Sequence, residues 1–394
     1  MLLPIQIIFC ILSTVYVTVE KLVFGGKALA RVDGKTVFIP FALPQEELEI
    51  TITANRRSYS EAAVKKVLVA SPHRVEPLCP HFLSCGGCNL QMASEAYQRF
   101  LRQSMVEELL CRAHAAPETP IQFIAGPAWE YRNRFQFHRG KDGTIGMNGI
   151  SSNSVVALRD CPIAVPALRT VIQKGKLANL FSDSMRDSHN RYHVFAQDTV
   201  YSPINPNASA RVGALSLYFS VFGFFQSNLS VLEKLIAFVC DLPPCTRILD
   251  FYAGVGTFSA FLIGKAAEIH LVEHNKPAIR TAQTNLERII ADTGSYSRCF
   301  FHASADEKWV NDPSARLPYD AALIDPPRQG VPEPVLYFMA HKGIPLIQYV
   351  SCNPATFARD AERLTAYGYR FTGCRLFDFY PQTHHCEIVG TFIR

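Results

Sequence analysis

Apolar and polar residues alternate in short runs from Val15 to about Ala70, at 16–19, 36–39, 48–52 and 63–68, with Gly25-Gly26, Asp33-Gly34 and Pro44 between them. Period two broken by turn residues predicts strands, and several short ones in succession predict a small all-β barrel over residues 15–72. Tyr97, Leu101, Met105, Leu109 and Leu110 recur at helical spacing and predict an amphipathic helix over 94–111. The stretch to residue 222 mixes the two periods and reads, from residue 73, as a mixed α/β domain. After Phe224-Phe225-Gln226-Ser227-Asn228 the pattern changes again: helix 229–240, strand 247–250, helix 257–264, strand 268–273, helix 277–290 and strand 319–325. A buried strand at 346–350 follows, and Pro354 suits the first turn of a helix. This alternation predicts a doubly wound, Rossmann-like α/β sheet over 223–394, which holds ligands at the carboxyl ends of its strands. Residues 1–14 form an apolar extension with no Lys or Arg ahead of the apolar run, unlike an export signal and short for a membrane span.

Composition changes this picture little. The chain has 394 residues, 48% of them hydrophobic, enough for two or three cores, and nothing in it reads as disordered. A net charge of +5 permits an RNA partner without requiring one. Arg56, Arg57, Tyr59, Lys65 and Lys66 put basic and aromatic groups on the barrel, a surface that suits nucleic acid or plain solvent equally well. Between Trp129 and Arg139, aromatics alternate with Arg132, Arg134, His138 and Arg139. On a strand those basic side chains fall largely on one face, where they can track a phosphate backbone.

Of the twelve cysteines, Cys79, Cys85 and Cys88 crowd into a C-x5-C-x2-C run, and Cys161, followed by Pro162, is a candidate fourth ligand far downstream. Three thiols so close point to a metal. Tetrahedral zinc usually takes two Cys pairs or Cys/His pairs, whereas three clustered cysteines plus one remote Cys-Pro fit a [4Fe–4S] cluster better. The remaining cysteines, Cys352 apart, scatter singly, which suits a reducing cytoplasm.

Cys352, in Ser351-Cys352-Asn353-Pro354, sits at the predicted corner between strand and helix. The N-terminal end of that helix would favour thiolate over thiol and give a nucleophile at neutral pH; without partners, the residue would be a small apolar filler. Asp250-Phe251-Tyr252-Ala253-Gly254-Val255-Gly256 is a strand running into a glycine turn. The third glycine of the dinucleotide fingerprint is Ser259 here and Asp250 precedes the glycines, so NAD is disfavoured. Glu273, ending the next strand, can take both hydroxyls of a ribose. Together these features point to S-adenosylmethionine. Asp325-Pro326-Pro327-Arg328-Gln329-Gly330 sets a carboxylate where a sulfonium and a base would meet. Glu387 enters the final apolar strand, either as a working base or as a strand-edge residue, and the residues leave both open.

This set of residues resembles the bacterial RNA uracil-5-methyltransferases, in particular the iron–sulfur- and TRAM-containing branch that methylates 23S ribosomal RNA. The likeness covers nearly the whole chain after residue 14. It implies a multidomain chain: an OB-like TRAM barrel over 15–72, beginning near Val19-Glu20-Lys21-Leu22; an iron–sulfur and central RNA-binding domain over 73–222; and a Rossmann-like methyltransferase domain over 223–394. It implies cluster ligands Cys79, Cys85, Cys88 and Cys161, S-adenosylmethionine contacts from Gln226, Tyr252, Glu273 and Asp325, Cys352 as nucleophile, and Glu387 as base within Thr383-x-His385-x-Glu387. The implied reaction is methylation of uracil C5 through a covalent bond from Cys352 to C6, carried out by a cytoplasmic monomer with no membrane partner. Ribosomal RNA ranks first because relatives acting on transfer RNA generally lack both cluster and barrel. A transfer-RNA uracil methyltransferase and a non-catalytic RNA-binding assembly factor are the competing readings. The apolar extension and Pro327 depart from the family pattern, and neither removes a reacting group.

Overall fold

A computed structural model of the chain describes residues 14–182, 186–187 and 190–394, so the apolar extension lies outside the described residues except at Thr14. Two compact units emerge. One comprises the chain up to residue 78 with 88–101 and 382–384; the other comprises 79–87, 102–381 and 385–394.

The first unit carries six strands, β1 (Thr14–Thr18), β2 (Lys21–Leu22), β3 (Lys27–Val32), β4 (Lys35–Pro40), β5 (Glu47–Asn55) and β6 (Tyr59–Val69), in the order β1-β5-β6-β4-β3-β2. Alternation puts Ala28, Ala30, Val37, Ile39, Leu48 and Ile50 inside. Glu46 is fully buried there, and Arg74 offsets its desolvation with bonds of 2.5 Å and 2.9 Å, supported by the Leu43 N–H. Arg56, Arg57, Lys65 and Lys66 are exposed, with Lys65 paired to Glu49.

Helix α1 (Glu95–Arg112) leads into the second unit. There the central strands β7 (Gln122–Ile124), β8 (Arg134–Arg139), β9 (Ile145–Asn148), β10 (Val155–Ala157), β11 (Arg191–Ala196) and β12 (Val200–Tyr201) precede a hairpin, β13 (Asn207–Val212) and β14 (Leu215–Ser220). Helix α2 (Pro166–Gln173) covers a small core of Phe135, Phe137, Leu168, Tyr192 and Val194. The expected boundary near residue 222 does not separate two compact bodies. Phe195, Ala208 and Phe219 from the central strands share one core with Leu232 and Ile248 beyond it, and β7 becomes an edge strand of the large sheet.

That large sheet is built from β15 (Cys245–Phe251), β16 (Ala266–Val272), β17 (Arg298–His302), β18 (Ala321–Ile324), β19 (Leu346–Ser351), β20 (Arg370–Phe377) and β21 (Glu387–Ile393), in the order β17-β16-β15-β18-β19-β21-β20-β7. Helices α3 (Leu229–Val239), α4 (Ser259–Leu262), α5 (Lys276–Thr293), α6 (Asp306–Trp309), α7 (Glu333–Lys342) and α8 (Pro354–Ala366) connect and cover it. β18 is buried at all four positions, as a central parallel strand covered on both faces must be. Strands β15 to β19 run parallel, while β21 lies antiparallel between β19 and β20. The topological switch lies between β15 and β18, where a doubly wound sheet opens its ligand crevice.

Candidate active site

The carboxyl ends of the parallel strands collect the singled-out residues. Phe251 pairs with Val272 and with Ile324, so Tyr252, Glu273 and Asp325 each stand one step beyond a paired position. Ser351 pairs with Ile388 at the last step of the β19–β21 ladder. One further step in the same register sets Cys352 opposite Glu387, and residues directly opposite in an antiparallel pair have Cβ atoms about 4.5–5.5 Å apart. Neither residue's side chain reaches the other through local sequence. The antiparallel insertion of β21 brings them together.

The segment after β18 is fastened to the start of α8. Asn353, the N-cap of α8, accepts from the Ala355 N–H and donates from Nδ2 to the Arg328 carbonyl at 2.8 Å; Thr356 Oγ1 donates to the same carbonyl at 3.2 Å. Arg359 holds the Gln329 carbonyl at 2.9 Å. Buried Asp360 accepts from the Val331 N–H at 2.9 Å and from the Tyr349 hydroxyl at 2.7 Å. Gly330 takes φ +78°, and a Cβ there would collide with Asp360 Oδ2 and stand 2.5 Å from Arg359 Nη2. Gly330→Ala should therefore cost about 2–4 kcal/mol, combining left-handed strain with a forced shift of a buried carboxylate. Urea denaturation of the purified variant measures it, and an unchanged midpoint would refute the fit.

These fastenings put Arg328 beside Cys352, and the electrostatics of Cys352 differ from the expectation drawn from its helix end. Burial, the Glu387 carboxylate and the Asp325 carboxylate push its thiol up to about 12, against a smaller downward pull from Arg328. The corner alone does not give a thiolate at neutral pH, because burial, together with two nearby acids, outweighs one helix terminus whose first donor Asn353 already occupies. Burial and Asp325 likewise hold Glu387 well above the usual carboxylate range. Asp325, with burial and Asp250 acting on it, lies at about 7. Arg328 is outweighed, and a cationic ligand would add to its pull and lower all three acids together. Cys352 alkylation by iodoacetamide should accordingly still be rising at pH 10 in the ligand-free protein. S-adenosylmethionine should shift the profile down, and Arg328→Met should slow alkylation at pH 8 roughly tenfold. A profile centred near 8.5 with no response to ligand would refute this balance.

On the β15–β16 side, Glu273 is buried and accepts from the Gly254 N–H at 3.1 Å and the Asn275 N–H at 2.6 Å. A carboxylate has about four acceptor sites, so two such bonds orient it and leave capacity for ribose hydroxyls. Gly254 has φ +55°, and the space its missing Cβ would fill is open. Gly256 instead packs so closely that a Cβ would stand 2.6 Å from Leu286 Cδ1. One glycine faces the crevice and the other lets α5 approach. Ser259 donates to Asp250 at 2.5 Å, which explains serine at this place. Asp250, fully buried, is pushed to about 7, mainly by desolvation. Tyr252 holds a left-handed φ of +62° and donates its hydroxyl to Asp306, so that hydroxyl is already engaged. Gln226 is buried in the turn leading to Asn228, the N-cap of α3. A carboxylate aimed across an open glycine turn fits an adenosyl ligand.

Two other expectations turn out differently. On β8 the alternation is present, with Phe135 and Phe137 buried and stacked at 5.5 Å. The opposite face is not a free row of cations. Arg134 is bound to the Gly223 carbonyl at 2.8 Å, and burial lowers it to about 10; His138 stands opposite Arg191, and burial pulls its pKa down. The cysteines expected to hold a cluster are only partly brought together. Cys79 lies within electrostatic reach of Cys85, and the Arg159 N–H donates to His81 Nε2 at 2.8 Å, joining the stretch before Cys161 to the Cys79–Cys85 segment. Among the described residues no group of three or more His, Cys, Asp or Glu is gathered as a metal centre. Sequence reasoning also passed over Arg328, although it lies in the quoted Asp325-Pro326-Pro327-Arg328 run. It passed over Tyr380 too, whose phenol lies near Glu387, Cys352 and Arg132.

A doubly wound sheet with a seventh strand inserted antiparallel, an adenosyl-fitting glycine turn and a cysteine facing a carboxylate define a methyltransferase that uses S-adenosylmethionine. Comparison with known proteins narrows this. The family model described as tRNA (Uracil-5-)-methyltransferase matches residues 217–394, and that of the TRAM domain matches 9–65. An uncharacterized RNA methyltransferase of Treponema denticola is 40% identical, covering 95% of this chain and 98% of that protein. The 23S rRNA (uracil(1939)-C(5))-methyltransferase RlmD of Enterobacter sp. is 30% identical, covering 93% of each chain, and that of Shewanella sediminis 30%, covering 96% of each. The crystal structure of the Pyrococcus abyssi tRNA (uracil-54, C5)-methyltransferase in complex with S-adenosyl-L-homocysteine shares the fold, with a TM-score of 0.73 at 21% identity over 96% of this chain and 99% of that one. The chain belongs to the RNA uracil-5-methyltransferase family and carries an N-terminal TRAM domain; its substrate is RNA and its methyl donor S-adenosylmethionine.

Proposed function

We propose that this enzyme methylates C5 of a uridine in 23S ribosomal RNA, with Cys352 as covalent nucleophile and Glu387 as base. The observation that carries this reading is the register that sets Cys352 against Glu387, with Arg328 and Asp325 beside them. Bound S-adenosylmethionine supplies an electrophilic methyl group and a cationic sulfur. Uracil C5 is too weak a nucleophile to take that methyl unaided. Cys352 Sγ adds to C6, the C5=C6 electron pair moves into an enolate over C4 and O4, and C5 becomes nucleophilic. Arg328 stabilises the thiolate that attacks. Once C5 carries the methyl, the Glu387 carboxylate takes the C5 proton; the freed pair restores C5=C6, and Cys352 departs as thiolate. Gln226, Glu273 and Asp325 hold the donor, and the uracil reaches the site only out of its stack.

Ribosomal RNA is favoured because relatives named for 23S rRNA align with more than nine-tenths of this chain. The test is transfer of labelled methyl to unmodified 23S RNA and to transfer RNA by wild type and Cys352→Ala. Labelling of 23S RNA by wild type alone supports the reading. Labelling of transfer RNA alone overturns the substrate, and labelling of neither supports the assembly-factor alternative.

The [4Fe–4S] cluster on Cys79, Cys85, Cys88 and Cys161 belongs to the same proposal and rests on their spacing; it takes no part in the steps above. Iron and sulfide in anaerobically purified protein, lost in Cys85→Ser, support it, and bound zinc or no metal overturns it. A cytoplasmic monomer is the matching proposal for the whole chain, and cysteines that otherwise scatter singly along it suit a reducing compartment.

A further inference from the structure

We infer that Tyr380 is a catalytic residue that donates a hydrogen bond to O4 of the target uracil and stabilises the enolate formed when Cys352 adds to C6. The inference rests on the covalent mechanism proposed above and names a group which that mechanism lacks.

Tyr380 lies on the segment joining β20 to β21, and the backbone around it is clamped. Arg102 forks onto Asp378 with bonds of 2.5 Å and 2.9 Å, Asn228 Nδ2 donates to the Phe379 carbonyl at 3.2 Å, and the Tyr131 hydroxyl donates to the Pro381 carbonyl at 2.8 Å. These partners come from three different parts of the unit, so the direction of the phenol is set by the fold. A hydrogen bond with the Ser227 side chain, one residue beyond Gln226, ties the phenol to the donor-side turn. The His385 ring stands edge-on at 6.0 Å, and the charges of Glu387 and Cys352 reach the phenol from the catalytic side, with Arg132 acting in the opposite sense. Tyr380 thus bridges the donor-side turn and the nucleophile–base pair.

The chemistry of the ring makes this location informative. C6 must face Cys352 and C5 must face Glu387; C4 is the next ring atom after C5, so O4 projects on the Glu387 side. The pair displaced from C5=C6 raises negative charge on O4 only after Cys352 has added. A donor waiting there binds the enolate more tightly than the ground-state carbonyl, which is the condition for accelerating the step. The donor must also keep its proton beside two acids. Burial, Glu387 and Cys352 push the Tyr380 phenol up to about 12, so it stays neutral over the working range. The proton remains on the phenol oxygen throughout, and the enolate pair returns to C5 as the methyl is taken. The groups already assigned are poorly suited to this donation. Arg328 is engaged with the Cys352 thiol, and Asp325 when ionised has no proton to donate.

Tyr380→Phe should lower kcat about 10²-fold, the usual loss for one oxyanion donor, with KM for S-adenosylmethionine and affinity for RNA unchanged. The decisive probe is RNA carrying 5-fluorouridine, whose C5 fluorine Glu387 cannot remove, so that the protein–RNA adduct accumulates. Wild type forming this adduct and Tyr380→Phe forming it much more slowly supports the inference. Equal rates overturn it and leave the covalent mechanism standing, whereas no adduct in wild type removes the mechanism on which it rests. Because a phenylalanine could fail by mispacking, fluorinated tyrosines at position 380 supply a second reading. A rate that rises as the phenol becomes more acidic supports donation to O4, and a flat series assigns Tyr380 a packing role and overturns it.

Discussion

Cys352→Ala is expected to lower methyl transfer by at least about 10⁴-fold, the scale on which covalent catalysts fail when the attacking atom is lost. Binding should survive, because the substitution removes only Sγ from a half-buried corner and leaves the N-cap of Asn353 and the Gly254 turn untouched. Removing the thiol also removes one of the crowded acids. Single-turnover transfer of labelled methyl, run beside equilibrium binding of S-adenosylmethionine and RNA, separates the two effects. Methyl transfer within tenfold of wild type would sink the covalent reading, since no other described thiol is held opposite Glu387 by strand register.

Glu387→Gln is expected to give the opposite phenotype, an enzyme that starts and cannot finish. The carboxamide fills the same volume in the fully enclosed start of β21 but cannot accept the C5 proton. Cys352 therefore cannot leave, and a complex that survives denaturing electrophoresis and carries labelled methyl should build up. Turnover should fall by about 10³-fold or more, within the range for loss of a positioned base. The same change removes a charge that raises the Cys352 thiol, so alkylation of Cys352 at pH 8 should become faster than in wild type. A variant that releases methylated RNA at the normal rate would assign the proton to another base.

Much of this was legible in sequence, for reasons tied to particular residues. Ala321–Ile324 is an uninterrupted apolar run and the stretch 346–350 is apolar but for Gln348, because both faces of a central parallel strand are covered, and the corners that follow these strands carry Asp325 and Cys352. The glycine turn was legible because few residues other than glycine take φ +55° and +80° at Gly254 and Gly256 without strain. Strand β3 was not, since its inward residues, Ala28 and Ala30, are too small to mark an alternation. The charge state of Cys352 was hidden as well: it depends on carboxylates delivered by two other strands, and no local motif reports a balance struck across a sheet. Arg134 was misjudged for the same reason. Its place in an alternating basic run is visible, whereas the carbonyl of Gly223 that occupies it is a tertiary partner.

The ladder between β19 and β21 has a consequence for how such a site can change. Nucleophile and base belong to distant stretches of chain, yet their encounter is decided by parity, since each step along a strand reverses the face a side chain presents. Deleting one residue early in β21 would keep every neighbouring side chain chemically intact and still send the carboxylate to the wrong side of the sheet. Removing two would restore the face but displace the acid along the strand by about 6.8 Å, beyond reach of the same carbon atom. Within β21, length is therefore under as tight a constraint as the glutamate itself.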